Sequence, residues 1–273
     1  MKYIKPINEF WGDVLKRDLL GETREEDKFR SKEQLQEYLK SEIKKQGRHV
    51  VIRDLDVSQI EDLSNLFRDI AVGVSSLDLS GWKTSGVKNM DLMFFGCENL
   101  RTIDLSDWDT SNVESMSGMF WGCKKLMLFG LTGFIVDLDF DTSSVTNMSD
   151  MFHNCTNLLF LHLSGWDTSK VKDTGDMFYG CTRLKELDLS SWDTSKLEFI
   201  EGMFRGCVSL ESLNLSGWDT SNVGFMGEMF KNCEKLKDLD LSGWDTSNVE
   251  NMNDMFVYSS LPYEVIDNKI VRK

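Results

Sequence analysis

The sequence predicts an α/β solenoid of short repeats, because three kinds of side chain recur with one period. The cysteines are evenly spaced except for one longer interval, and the tryptophans and Met-Phe pairs keep the same spacing. Twelve of the fourteen methionines fall in the pattern M-x-x-M-F, which indicates core positions and not a metal-binding cluster. The chain has two prolines, one near each end, so the interval between them is open to regular structure. The six cysteines are Cys97, Cys123, Cys155, Cys181, Cys207 and Cys233.

Residues 100–123 show the elements of one period. They begin with L-x-x-I-x-L, the strand pattern of a leucine-rich repeat, in which alternate side chains point to opposite faces. After a turn comes V-x-x-M-x-x-M-F-x-x-C, whose spacing of three and four residues predicts one buried helix face. Ser111 followed by Glu114 is a capping box for that helix. The same pair occurs at Ser58/Glu61, Ser195/Glu198 and Ser247/Glu250.

A column of Gly and Asn follows each predicted helix, as a left-handed C′ position requires. Its members are Gly96, Gly122, Asn154, Gly180, Gly206 and Asn232. Each repeat is therefore predicted to contain a strand, a turn and a short helix. Stacked repeats of this kind form a right-handed leucine-rich-repeat solenoid, with parallel strands on the concave face and short helices on the convex face.

The period also predicts where the array begins and ends. The repeat pattern covers residues 49–260, and terminal repeats need caps. An amphipathic helix beginning after Ser31 and ending at Gly47 is expected to cover the first coil, within a helical leader and N-terminal cap formed by residues 1–48. Residues 261–273 are expected to close the other end as a C-terminal cap segment.

One repeat is six residues longer than the others. If Phe134 occupies the position of the tryptophan, the extra residues are 135–140, a bulge at the edge where strands end. Phe140 is the alternative occupant of that position.

The repeat L-x-x-L-D-L-S-x-W-D-T-S-x-V-x-x-M-x-x-M-F-x-G-C resembles the 26-residue repeat of BspA-like bacterial surface proteins. The segment D-V-S-x-I-x-D-L-S-x-L-F, preceded by a helix, resembles the way such arrays begin, so that the likeness covers roughly residues 30–260. It implies the solenoid fold and a role in adhesion or attachment. Family members that reach the surface usually carry a signal or lipoprotein leader, and this sequence begins without one.

The charge distribution narrows the classes of partner. The chain has a net charge of −14, of which residues 1–50 contribute +2 and residues 51–273 contribute −16. So acidic a body repels phosphate backbones and anionic lipid surfaces, and nucleic-acid binding is therefore not expected. Membrane insertion is not expected either, because no apolar stretch approaches the length of a span. Without a signal peptide, the expected location is cytoplasmic or virion-associated, and the cell surface only if a leader was removed.

No pattern in the sequence predicts catalysis, a cofactor or a metal site. It contains no nucleophile elbow, H-E-x-x-H, P-loop or Rossmann fingerprint, so no enzymatic activity is expected. The cysteines share one repeat phase, which favours a column of small buried thiols over disulfides. The Asp of each D-T-S triplet is interpreted as a helix cap and not as a Ca²⁺ ligand. His153 is interpreted as one member of a variable surface column that also holds Phe95, Trp121 and Tyr179.

The predicted binding site lies on the concave face, where solenoids usually bind. Most outward strand positions are polar or acidic, but a few apolar side chains and one histidine interrupt them beside the long repeat. An apolar patch rimmed by acids is typical of a partner site, although irregular packing around an insertion would produce the same pattern. The predicted site residues are Leu128, Phe160, His162, Ile135, Val136, Asp104, Glu186 and Asp188.

The predicted function is a non-catalytic binding scaffold, acting as a surface or virion attachment protein that recognises a protein or a glycan. The alternative is a cytosolic regulator or inhibitor that sequesters a partner protein. Residues 1–20 are a second candidate: Phe10, Trp11, Val14 and Leu15 lie on one face of a possible helix. That helix is either a second layer of the N-terminal cap or a docking segment.

Overall fold

The computed structural model describes residues 28–127 and 138–273. Within these ranges the chain forms one helix and seven short strands. They are α1 (Lys32–Gln46), β1 (His49–Val51), β2 (Ser76–Asp78), β3 (Thr102–Asp104), β4 (Glu186–Asp188), β5 (Ser212–Asn214), β6 (Tyr263–Ile266) and β7 (Lys269–Arg272).

Helix α1 has the boundaries that the sequence predicts. The Oγ of Ser31 accepts a hydrogen bond from the N–H of Gln34 at 3.3 Å, and the helix ends at Gly47, whose φ is +76°. Leu35 and Leu39 are fully buried, which gives the helix one apolar face. The polar side chains of the helix face away from the core. The basic side chains of its last turn, Lys44 and Lys45, complement the helix dipole.

The predicted parallel strands are confirmed. Strands β1, β2 and β3 form one parallel sheet, and β4 pairs with β5 in another. His49 lies beside Ser76, and Ser76 in turn lies beside Thr102, its equivalent in the next repeat. One period of the sequence therefore corresponds to one coil of a stack, and equivalent positions of successive coils lie side by side.

The predicted short helices on the convex face are wrong for the described residues, because in each coil the M-x-x-M-F segment forms consecutive turns. Corresponding residues of neighbouring coils form parallel bridges there, and we call this second line of pairing the turn ladder. Its bridges join Asp62, Asn89, Ser115, Asn147, Asp173, Phe199, Phe225 and Asn251 in order.

Left-handed residues explain why the segment does not become a helix. Leu92 and its equivalents in other coils have φ between +51° and +61°, which breaks a helix in its middle. The backbone N–H groups then alternate in their acceptors. The N–H of Leu92 donates to the carbonyl of Ser117 in the next coil at 2.8 Å, whereas the N–H of Met93 donates to Met90 within its own coil at 3.3 Å. The Gly and Asn column predicted to be left-handed is confirmed, with φ from +57° to +76°.

The predicted capping boxes do not form, since there is no helix for them to cap. The N–H of Ser111 donates to Asp109 at 3.1 Å and its Oγ donates to the same carboxylate at 2.6 Å, which makes an Asx turn. In the other three predicted boxes, the serine N–H likewise donates to the Asp that begins the triplet. The Thr of the triplet is buried, and the Oγ of Thr110 donates to the carbonyl of Asp141 in the next coil at 3.0 Å.

The core consists of columns, as the period predicts. The phenylalanines of the Met-Phe pairs stack from coil to coil, with ring centroids 5.1 to 5.9 Å apart. The buried Trp side chains donate their indole N–H to carbonyls of the preceding coil, as Trp108 does to Leu79 at 2.8 Å. All six thiols are buried and unbonded to one another, which confirms the thiol column, and Cys123 donates to the carbonyl of Phe94 at 3.2 Å.

The structure of the long repeat decides which phenylalanine occupies the tryptophan position. Phe140 is buried and stacks on Trp166 at 6.3 Å, the same distance that separates Trp192 from Trp218. Phe140 therefore occupies the tryptophan position, and the extra residues precede it. Phe134 lies outside the described residues.

The last coil contacts an antiparallel hairpin formed by β6 and β7. The hydroxyl of Tyr263 donates to the carbonyl of Leu239 at 2.9 Å, and its ring lies 5.8 Å from that of Phe256. The hairpin thus shields apolar groups of the last two coils. In the described part of the chain, no helix is long and apolar enough to cross a membrane.

Candidate binding surfaces

The strand face exposes side chains on either side of a buried apolar residue. In β4, Glu186 and Asp188 are exposed and flank the buried Leu187. Asp104 in β3 is half-buried, so the three predicted acidic residues all lie at accessible strand positions. The Ser190 side chain and backbone N–H both donate to Asp188, at 2.6 and 2.9 Å, and hold the pKa of that carboxyl below its ordinary value.

The equivalent acid in β2 has a different environment. Asp78 is buried and accepts two hydrogen bonds from Arg53, at 2.5 and 2.9 Å from the same carboxylate oxygen. Ser80 donates to the other carboxylate oxygen. The strand face therefore changes along the stack, from a neutralised ion pair in the first coils to exposed carboxylates at β4.

The apolar centre of the predicted site is only partly placed by the structure. Phe160 is half-buried and His162 is exposed, on a segment between two described coils without regular strand pairing. Leu128, Ile135 and Val136 lie outside the described residues. The patch therefore stays a prediction, as does docking through residues 1–20, which also lie outside the described residues.

A second surface consists of four rings in contact, the first pair edge to face and the others stacked, and we call it the aromatic ladder: Phe95, Trp121, His153 and Tyr179. Their centroids are 5.5, 4.4 and 4.3 Å apart in order. Arg68 lies 4.7 Å from the Phe95 ring and Arg205 lies 5.1 Å from the Tyr179 ring, so a guanidinium covers each end.

The aromatic ladder corrects the interpretation of His153 as one member of a variable surface column, because its side chain is largely buried. Its side chain is only 12% exposed, and its Nδ1 lies 2.6 Å from the Oδ1 of Asp150. Because both faces of the imidazole are covered by Trp121 and Tyr179, only ring edges remain for a partner. We interpret the ladder as a contact between coils and not as a binding site.

A third surface is a groove of about 840 Å³ beside the turn ladder, and we call it the Phe groove. Phe199 and Phe225 lie in it with stacked rings, 5.2 Å apart and 11° from parallel. Lysines, carboxylates and amides surround the two rings. The lining residues are Thr146, Ser169, Lys170, Lys172, Lys196, Glu198, Phe199, Asn222, Gly224, Phe225, Asn248 and Glu250.

Some polar groups of the Phe groove already form ion pairs or hydrogen bonds within the protein. Lys172 pairs with Glu198 at 2.8 Å. The amide nitrogens of Asn222 and Asn248 donate to backbone carbonyls of the preceding coil, which leaves each amide oxygen available as an acceptor. Sequence reasoning missed this groove. The signal that could have found it was Phe in two successive repeats at a position where the other repeats have Asp, Asn or Ser.

The titratable groups of the core do not suggest reactive chemistry. Burial raises the pKa of the Cys97, Cys181 and Cys233 thiols to about 12, which keeps them protonated and poorly nucleophilic at neutral pH. In the described ranges, no group of three His, Cys, Asp or Glu side chains is placed to hold a metal ion.

Comparisons with known proteins identify a family. The family model described as "Mycoplasma protein of unknown function, DUF285" matches residues 35–129, 127–216 and 177–266. A search of curated proteins finds no match.

Two solved structures resemble the chain weakly. A leucine-rich repeat protein of T. pallidum is 20% identical, with 70% of this chain and 79% of that chain covered and a TM-score of 0.47. The protein chain of a TLR13–ssRNA13 complex is 15% identical, with 84% and 48% covered and a TM-score of 0.22. Structural similarity this weak gives no information about the ligand or the mechanism of this chain.

Proposed function

The chain belongs to the DUF285 family, and from its geometry we propose that it is a non-catalytic scaffold whose strand face binds a protein or a glycan. The supporting observation is that the strand face combines constant buried positions with flanking positions that are accessible in β3, β4 and β5. The central strand residues Leu77, Ile103, Leu187 and Leu213 are 1 to 7% exposed. The residues preceding them are Ser, Thr, Glu and Ser, and the residues following them are Asp, Asp, Asp and Asn.

This separation matters because it uncouples recognition from folding. Backbone pairing keeps neighbouring strands about 4.8 Å apart, and the buried column covers only their core side. Changes at the flanking positions then alter the chemistry of the surface without altering the core. Repeat proteins use such a surface to bind unrelated partners with one frame.

We propose that the stack is a right-handed solenoid in which α1 covers the first coil and the β6–β7 hairpin covers the last. Two observations support these caps. Leu35 and Leu39 of α1 belong to the same buried core as the repeats. At the other end, Tyr263 reaches back to the backbone of Leu239. Covered ends keep the array from exposing its apolar columns to water.

The proposed biological setting is attachment at a cell or virion surface, which the resemblance to BspA-like proteins supports. The alternative is a cytosolic regulator that sequesters a partner protein, for which the same accessible strand face would serve. Detection of the protein on intact cells or virions by accessible-surface labelling favours attachment. Its recovery only after lysis favours the regulator.

The strand-face proposal is tested by a quantitative pull-down from the native source with three forms of the protein. The first is wild type, and the second carries Glu186→Lys and Asp188→Lys on the strand face. The third carries Glu234→Lys and Glu264→Lys, which make the same change in net charge at exposed positions outside the strands of the repeats. A ligand retained by the first and third forms and lost by the second supports the strand face. Equal retention by all three contradicts it.

A further inference from the structure

We propose that the Phe groove is a second binding site, specific for a neutral glycan that packs a pyranose ring against Phe199 and Phe225. No residue that lines the groove belongs to a strand of the described chain, so this site is separate from the strand face. The inference does not depend on the function proposed above.

The first argument is that the two rings are not needed for the pairing of neighbouring coils. They occupy a position of the turn ladder where six other coils have a polar residue, and those coils pair equally well. Phe199 is 40% exposed, although the residues on either side of it in the chain are buried or half-buried. An apolar ring held in water at a position that tolerates Asn or Ser indicates a contact surface.

The second argument is the shape of the groove. The rings stack on one another nearly parallel, so each covers one face of the other, and their remaining surfaces form an apolar ledge across two coils. A volume of about 840 Å³ lies within the range of sites that hold small ligands or a few units of a polymer. A flat ligand face fits such a ledge better than a branched side chain does.

The third argument is the mixture of charges at the rim. The groove is lined by three lysines and two glutamates, a net of +1 in a body of strongly negative charge. The carboxylates of Asp167 and Asp193 also interact with Lys170 and Lys196. These carboxylates repel a polyanion, and the lysines repel a polycation.

A neutral sugar fits this rim because each hydroxyl both donates and accepts hydrogen bonds. The ammonium groups of Lys170 and Lys196 supply donors, and Glu250 and the amide oxygens of Asn222 and Asn248 supply acceptors. The apolar face of a pyranose ring lies on the phenylalanine ledge. The combination of one apolar ledge with donors and acceptors on its rim favours a glycan over a charged ligand.

The test is affinity electrophoresis of the full chain in native gels containing one polysaccharide each. The neutral probes are hydroxyethyl cellulose, soluble starch, yeast mannan and galactomannan, and hyaluronate is the acidic probe. We expect wild type to be retarded by at least one neutral probe and not by hyaluronate alone. Failure of all four neutral probes to retard the protein overturns the proposal.

The diagnostic variant is Phe199→Asn with Phe225→Asn, which places in both coils the residue that Asn89, Asn147 and Asn251 provide at this position. It is expected to weaken retardation at least about tenfold, because the rings lie at the centre of the site and the lysines at its rim. Glu234→Lys with Glu264→Lys, at exposed positions outside both the strand face and the groove, is expected to retain binding. Unchanged retardation of the Asn variant overturns the proposal.

Two further measurements keep the result interpretable. Thermal unfolding followed by circular dichroism shows whether the Asn variant is folded. If it is not, Phe199→Leu keeps an apolar side chain but removes the ring plane, and it is expected to weaken binding while remaining folded. Retardation by hyaluronate alone, lost in Lys170→Gln with Lys196→Gln, identifies an anion site and contradicts the glycan proposal.

Discussion

The strand side and the turn side of each coil are held together differently. On the strand side, regular pairing is confined to β1–β3 and to β4–β5 in the described residues. On the turn side, bridges connect every coil in order from Asp62 to Asn251. The long repeat shows the difference most clearly. The N–H of Gly118 donates to Ser149 across it at 2.8 Å, the same distance as between Leu92 and Ser117 in coils of ordinary length.

This comparison shows which side determines the spacing of the coils. The six additional residues of this repeat leave the hydrogen bonds of the turn ladder unchanged. The turn side, with its phenylalanine stack and alternating hydrogen bonds, therefore fixes the distance between coils. The strand side is left free to vary, which is what a binding surface requires.

The largest expected effect is the loss of a ring from the turn side. Phe152 is fully buried between Phe120 and Phe178, with centroids 5.7 and 5.8 Å away. Phe152→Ala is expected to lower the free energy of unfolding by about 3–5 kcal/mol, because it leaves a cavity between coils. Phe160→Ala on the strand side, where the ring is half-buried, is the matched control and is expected to cost about 1 kcal/mol. Urea denaturation measures both, and a larger loss for Phe160 contradicts the assignment of the frame to the turn side.

A smaller effect is expected at the left-handed positions of the turn side. Gly96 has φ +71° with no atom within 4 Å of the place a Cβ would take, so Gly96→Ala costs only the backbone strain, about 1–2 kcal/mol. Gly202 has φ +61°, and a Cβ there overlaps the Oδ1 of Asp176. Gly202→Ala is therefore expected to cost more than Gly96→Ala in the same denaturant experiment. Equal losses show that the Asp176 side chain moves aside freely.

The buried thiols give a pH dependence. Burial raises the pKa of Cys181 to about 12, whereas a thiol in an unfolded chain ionises near about 8.5. The stability due to the protonated thiol is therefore fully present below about pH 8.5 and is lost as the pH rises towards 12. Wild type is expected to lose about 2 kcal/mol more than Cys181→Ala between pH 8 and pH 10. Because alanine also changes packing, the comparison uses the slope of the free energy of unfolding against pH for each protein. Equal slopes show that the Cys181 thiol ionises as readily in the folded state as in the unfolded state.

The smallest effect is expected on the strand face. Glu186 is exposed beside the buried Leu187, so Glu186→Ala is expected to change the free energy of unfolding by no more than about 0.5 kcal/mol. Glu211→Ala, which removes the exposed ion pair with Lys235, is a control of similar size. A loss above about 2 kcal/mol at Glu186 means that this position belongs to the frame and not to a display surface.

The candidate sites were less predictable than the fold. Acidic strand positions such as Glu186 and Asp188 are accessible as expected, because alternation along a strand determines which side chains face out. The Phe groove was not predicted, because no local rule identifies it. Phe199 and Phe225 are neighbours only when two repeats stack, and the sequence shows this only as a departure from the polar residues in the same column.

By itself, the sequence determined the period, the buried columns, the parallel strands, helix α1 and the left-handed Gly and Asn positions. These properties follow from side-chain hydrophobicity and from local backbone preferences, which a repeated pattern displays many times. Only the tertiary structure decided that M-x-x-M-F forms turns. A spacing of three and four residues buries the same side chains in a helix and in consecutive turns. The two differ in the acceptor of alternate N–H groups, and for Leu92 that acceptor is Ser117, in the next coil and beyond the reach of any local pattern.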